Sequence, residues 1–199
     1  MDFDVHYFRP QLAYCSTRLK YQLYIPHVPD REPSLCRNEP VDTERTRQEF
    51  NSGVQAWRET EEYKRIETLL HTETLPAGIT KIVAFALGDI GRAGSGHSRS
   101  ICQHALILCV RDALNSRLGP GQPAVRCFAQ DPAYREVDKQ VLGEAGITVV
   151  GDPRGFLEVD DNTVVISISP NIPVRQITAD IARPAVLMWN VVKDPPSHT

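Results

Sequence analysis

Between residues 78 and 190 short apolar runs of strand length alternate with stretches whose apolar residues recur every three or four positions. That alternation predicts an α/β fold, because strands joined through helices lie parallel and need crossovers. Residues 80–87 are apolar on both parities, as a strand covered on both faces must be, and the run stops at Gly88. Ser98 is placed to cap the next helix, where Ile101, Ala105, Leu108 and Cys109 form one stripe. Residues 124–129 read as a second strand. Asp131 and Pro132 then supply a cap and a first-turn proline for a helix running to residue 145, which Gly146 stops. Residues 147–150 and 163–169 read as the third and fourth strands. Pro173 opens a short helix with Ile177 and Ile181 inward, before a fifth strand at 185–189. The expected architecture is Rossmann-like: a mostly parallel five-stranded sheet with helices on both faces.

The preceding region follows another pattern. Over residues 43–71 Phe50, Val54, Trp57, Tyr63, Ile66 and Leu70 keep helical spacing, with Asn51, Ser52 and Gly53 placed to break the helix in two. Phe50, Trp57 and Ile66 are expected to dock this segment on the sheet. Residues 1–41 carry Pro10, Pro26, Pro29, Pro33 and Pro40 among Tyr14, Tyr21 and Tyr24, which blocks long helices and suggests an arm laid on the body. The expected division is an N-terminal arm and helical extension at 1–75, an α/β domain at 76–192 and a tail at 193–199.

Composition agrees with one folded unit plus appendages: 199 residues, 41% hydrophobic and 24% charged. A net charge of −3 excludes a global basic field for nucleic acid or anionic membrane. The longest apolar run, 101–110, is too short to span a bilayer, and residues 1–15 lack the pattern of a secretory signal, so a cytoplasmic or nuclear setting is expected. Five cysteines without a Cys-x-x-Cys pair read as reduced thiols, Cys102, Cys109 and Cys127 as small buried hydrophobes. No metal site is expected, and no cofactor is indicated.

In open parallel sheets ligands bind beyond the carboxyl ends of the strands. After the first strand come Gly88, Asp89, Ile90, Gly91, Arg92, Ala93, Gly94, Ser95, Gly96, His97 and Ser98, which bring backbone N–H groups, two hydroxyls and an imidazole to a helix N-terminus. Such a loop suits a phosphate or carboxylate. It is neither G-x-G-x-x-G nor a P-loop, because Arg99 stands where a third glycine belongs and no Gly-Lys-Ser/Thr follows. Asp131 after the second strand is a helix cap or a ligand contact. Asn171 after the fourth is either a cap or an amide in the crevice, and Arg175 can pair an anion. Gln103 is the better binding candidate on the helix, while His104 reads as a satisfied core group. The acidic residues 158–161 read as a solvated turn. Ser95 or Ser98 with His97 makes no nucleophile elbow, so the residues alone give a small α/β binding domain with a polar crevice.

The stretch from 81 to 190 resembles the Sensitivity-to-Red-Light-Reduced-like domain family, closest in wording to its fungal branch. The resemblance is carried by Ser100-Ile101-Cys102-Gln103-His104-Ala105, by Asp131-Pro132-Ala133-Tyr134 with Glu136, Leu142 and Gly146, and by Ser169-Pro170-Asn171. It implies regulation, since the family is known through light and clock responses in plants and through haem metabolism and the cytoskeleton in yeast. The chain departs from the family where Pro170-Asn171 replaces Pro-His and Trp189-Asn190-Val191 replaces Gly-Asn-Ser. Chemistry that depends on that histidine is therefore not implied. The expected function is a regulatory or binding module for an anionic small molecule or nucleotide-like ligand. The alternative is an enzyme similar to cyclodipeptide synthases. It would move an aminoacyl group from aminoacyl-tRNA through Ser95 or Ser98 to arginine-containing products, with Arg92, Arg99, Arg111 and Arg117 receiving the tRNA.

Overall fold

The computed structural model describes residues 2–7, 19–22, 42–73, 75–91, 99–168 and 170–190. In chain order its strands are β1 (Asp2–Tyr7), β2 (Leu19–Gln22), β3 (Lys81–Phe85), β4 (Arg126–Gln130), β5 (Ile147–Val149), β6 (Thr163–Ser167) and β7 (Val186–Asn190). The helices are α1 (Thr43–Arg58), α2 (Glu61–Thr72), α3 (Arg99–Asn115), α4 (Glu136–Glu144), α5 (Arg154–Leu157) and α6 (Val174–Ile181). The strands form one sheet in the order β2-β1-β7-β6-β3-β4-β5.

The five expected strands are present and mutually parallel, with β3 at their centre between β4 and β6. Alternating side chains of β3 feed two cores. Ile82 and Ala84 pack with α3 and α4, whereas Val83 and Phe85 pack with Phe156 of α5 and Val174 of α6. Helices therefore cover both faces.

Two strands were not foreseen. β1 pairs antiparallel with β7, and β2 pairs antiparallel with β1, so the edge that β7 would expose is covered. Asp2, Asp4 and His6 alternate with Phe3, Val5 and Tyr7, a period-two signal that a reading weighted toward prolines passes over.

The 43–71 segment buries Phe50, Trp57 and Ile66 as expected, but α1 and α2 rest on α3 and α4 rather than on the sheet. They make a third layer. Arg47 also donates from Nε and Nη2 to Glu144 of α4 at 2.6 and 2.8 Å. Covered by the sheet below and by α1 and α2 above, α3 is buried at every residue from Ile101 to Val110. Its apolar residues run all round, as they do in an encased helix.

Three local expectations are corrected. Gly53 sits buried inside α1, and the break falls instead at Glu59 and Thr60, where Thr60 Oγ1 caps α2 by accepting from Tyr63 N at 3.2 Å. The helix after β4 starts at Glu136, not Pro132. Asp131 closes a turn by accepting from Ala133 N at 2.8 Å, and Asp138 then caps the new helix start by accepting from Arg135 N at 2.8 Å. In α6 Val174 and Thr178 face inward, while Ile177 is half-buried and Ile181, in the last turn, is 49% exposed.

Cys102, Cys109 and Cys127 are free and buried, and burial pushes their thiols up to about 11, 12 and 11. Among the described residues no helix is long and apolar enough to cross a membrane.

Candidate functional site

From β3 the chain moves outward through β4 to β5, then returns to β6 on the other side of β3 and continues to β7. The strand order thus reverses between β3 and β6, the position where open α/β sheets leave a crevice at their carboxyl ends. Phe85 lies opposite Ser167 there, and Ser167 Oγ donates to Phe85 O at 3.3 Å.

The chain turns sharply just past β3. Ala86 has φ 58, a left-handed conformation that costs a residue with a Cβ roughly 1–2 kcal/mol. This is why β3 ends at Phe85, two residues before the apolar run does. Gly88 follows with φ 75, and Ser100 of α3 donates from Oγ to Gly88 O at 3.1 Å. A Cβ at Gly88 would stand 3.7 Å from that hydroxyl, so the first turn of α3 rests closely on the end of β3.

Two carboxylates hold the connection after β3. Asp131 Oδ2 accepts from Gly88 N at 2.7 Å. Asp138, fully buried, accepts with Oδ1 from Ile90 N and Gly91 N at 3.1 and 2.9 Å, and with Oδ2 from Arg135 N and Nε. Arg135 Nη2 lies 3.8 Å from Asp89. The amides of Gly88, Ile90 and Gly91 thus already serve internal anions through charge-assisted bonds.

The ends of β3 and β4 are filled from both faces. On one, Phe156 stacks on Phe85, while Gln130 donates to Asp152 at 2.9 Å and accepts from Gly155 N at 2.7 Å. On the other, His104 is fully buried with Nδ1 2.7 Å from Ser100 O and Nε2 2.7 Å from Tyr134 Oη. A carbonyl can only accept, so Nδ1 carries the proton and the Tyr134 hydroxyl donates to Nε2. Burial pushes His104 down to about 4 and Tyr134 well above its ordinary value. A neutral, fully bonded imidazole is the satisfied core group the sequence suggests. Ser100 is no activated nucleophile either, because the imidazole proton is held by Ser100 O and its own hydroxyl donates to Gly88 O.

With this geometry in place, the comparison with known families is decisive: the family model of the SRR1 domain matches residues 59–197. The chain belongs to the SRR1 domain family. No curated protein matches it, and no solved structure does. The SRR1 match takes in α2 and the whole parallel sheet, whereas β1, β2 and α1 precede it.

The SRR1 domain brings some of the expected site residues together. Gly88, Asp89 and Gly91 join Asp131 beyond β3 and β4, although Asp131 engages both oxygens with backbone N–H groups. Gln103 is 4% exposed in the first turns of α3. Asn171 lies exposed beyond β6, and Arg175 sits over the Trp189 ring at 5.1 Å. Gly94, Ser95, Gly96, His97 and Ser98 lie outside the described residues, as does Arg92. Two members of the expected basic cluster are engaged elsewhere. Arg111 bonds Asp112 and Ala145 O, and Arg117 bonds Leu70 O and Glu73 O.

Sequence reasoning missed Ala86, Asp138 and Arg135. Asp138 leaves a trace as the acidic residue three positions after a helix start, but placing that start at Pro132 hides it. Ala86 leaves none. Among the described residues no group of three His, Cys, Asp or Glu side chains is arranged to hold a metal.

Proposed function

We propose that this SRR1 domain protein is a regulatory binding module that holds an anionic, nucleotide-like small molecule at the β3/β6 crevice. The observation that carries the reading is the seating of α3: a 17-residue helix begins at the reversal of strand order, its first turn resting on Gly88. A helix N-terminus favours an anion through its free N–H groups and its dipole. Since Gly88, Ile90 and Gly91 are occupied, the contacts fall to Gly94, Ser95, Gly96, His97 and Ser98, with Gln103, Asn171 and Arg175 at the rim. The wording of Ser100 to Ala105 supports a fungal-branch member, and a cytoplasmic or nuclear setting and the division at residue 75 belong to the same reading.

A thermal-shift series with inorganic phosphate, ribose 5-phosphate, nucleoside monophosphates and anionic haem precursors tests it. A ligand at a hundredfold its Kd stabilises by about 2.7 kcal/mol, which moves the melting temperature several degrees. If none of these anions moves it, the reading fails. Incubation with aminoacyl-tRNA and a mass-spectrometric search for cyclic dipeptides tests the enzyme alternative, and a module yields no product.

A further inference from the structure

The two faces of the sheet are unequally covered. Behind one lie α3 and α4 with α1 and α2 stacked on them, whereas the other carries α5, of four residues, and α6, of eight, in contact with each other. The three large apolar side chains that stand exposed among the described residues all belong to this thin layer. Leu157 of α5 is 72% exposed, Ile172 just before α6 47% and Ile181 in its last turn 49%. Single exposed apolar residues are ordinary, but three gathered on one layer make a patch.

Arginine–aromatic pairs flank the patch. Arg175 lies over the Trp189 ring at 5.1 Å on the β7 side, and Arg126 over the Phe128 ring at 5.5 Å on the β4 side. Phe128 packs with the α5/α6 core, as does Leu187, two residues before Trp189 on the same side of β7. Both rings remain partly exposed. Arginine and aromatic side chains around an apolar centre are the groups that carry most of the energy in protein interfaces.

Charge singles out the occupant. On the opposite layer exposed charges close pairs within the chain, as Arg45 does with Glu49, Arg47 with Glu144 and Lys64 with Glu61. On and beside the thin layer Arg154 and Arg183, and likewise Asp161 and Asp180, are exposed and take part in no ion pair among the described residues. A patch that holds both signs unpaired matches itself, because under a two-fold axis each arginine meets an aspartate of the other copy and every such contact occurs twice. A partner of one sign would satisfy half of these groups and bury the rest.

We propose that the α5/α6 face is a two-fold symmetric interface through which two copies of this chain pair. A stable interface takes about 800 Å² from each partner. That is more than a helix about 12 Å long offers, so the contact runs from α6 across α5 to Phe128. The inference is independent of the crevice reading.

Sedimentation equilibrium of the full-length protein over a dilution series tests it and should show monomers in equilibrium with dimers. The double variant Leu157→Asp with Ile181→Asp should stay monomeric and melt as dilute wild type does, since both side chains are exposed. Two charge-reversed chains make the decisive comparison, one carrying Arg154→Asp with Arg183→Asp and the other Asp161→Arg with Asp180→Arg. Each alone should associate at least tenfold more weakly than wild type, and an equimolar mixture should recover the dimer. A wild-type protein that is monomeric throughout overturns the proposal. A dimer that survives Leu157→Asp with Ile181→Asp overturns it too, by placing the interface on another face, and so does a mixture that fails to pair.

Discussion

Tyr134 Oη donates to His104 Nε2 at 2.7 Å, and this one bond ties the turn after β4 to the first half of α3. Both groups are buried, so neither can turn to water if the other is removed. Tyr134→Phe should therefore destabilise the fold by about 1–3 kcal/mol, the cost of leaving a buried acceptor unmade. Urea unfolding measures it, and an unchanged midpoint at unchanged slope would show that the bond contributes nothing.

The same histidine makes stability depend on pH. Its imidazole titrates near 4 in the folded protein against an ordinary 6.5, so between these values the unfolded chain binds the extra proton. Stability from this group is fully present above pH 6.5 and is lost progressively as the pH falls to 4. The loss approaches about 3 kcal/mol, at 1.36 kcal/mol per unit. In His104→Gln the slope of stability between pH 6.5 and 5 should flatten. An equal slope in both proteins would assign the effect to other groups.

Asp138 organises the connection after β3 more than any other side chain described. Asp138→Asn keeps an acceptor for Ile90 and Gly91 but turns an N–H donor toward Arg135 N, so about 2–3 kcal/mol should be lost. Hydrogen exchange should show the amides of Ile90 and Gly91 losing protection before the β3 amides do. Equal protection in variant and wild type contradicts the clamp.

Ala86 holds a conformation that glycine adopts without penalty. Ala86→Gly should raise stability by about 0.5–1 kcal/mol, and Ala86→Val should lower it by more. A destabilised glycine variant would mean that the Ala86 methyl packs more favourably than its backbone is strained.

Removing the third layer should be costly. Phe50, Val54 and Trp57 are buried against α3 and α4, each contributing roughly 1.5–3 kcal/mol. A chain starting at Leu75 should melt at least 10 °C lower than the full protein, at 2–4 °C per kcal/mol for this size. Retention of the full melting temperature would rule out the docking.

The parallel sheet was legible because its strands hold continuous apolar runs, such as residues 82–85 and 164–166, and because Gly88 and Gly146 mark where runs or helices end. The order of strands follows from handed crossovers rather than from any residue, so the reversal beside β3 needed the structure. His104 was legible as a core group from its apolar neighbours on α3. The Asp131 and Asp138 clamps were not, since a carboxylate that binds backbone amides 43 to 48 residues away leaves no periodic trace. Ile181 misled because helical spacing continued past the point where α6 still faces the sheet.

The burial of α3 on every side bears on how a ligand would be received. Close-packed interiors resist small displacements, and α3 cannot shift without repacking α1, α2 and the sheet together. On the proposed reading, the first turns of α3 would therefore be set before a ligand arrives. A ligand held as proposed would then be received by fit to a standing surface, with adjustment confined to exposed side chains such as Asn171 and Arg175.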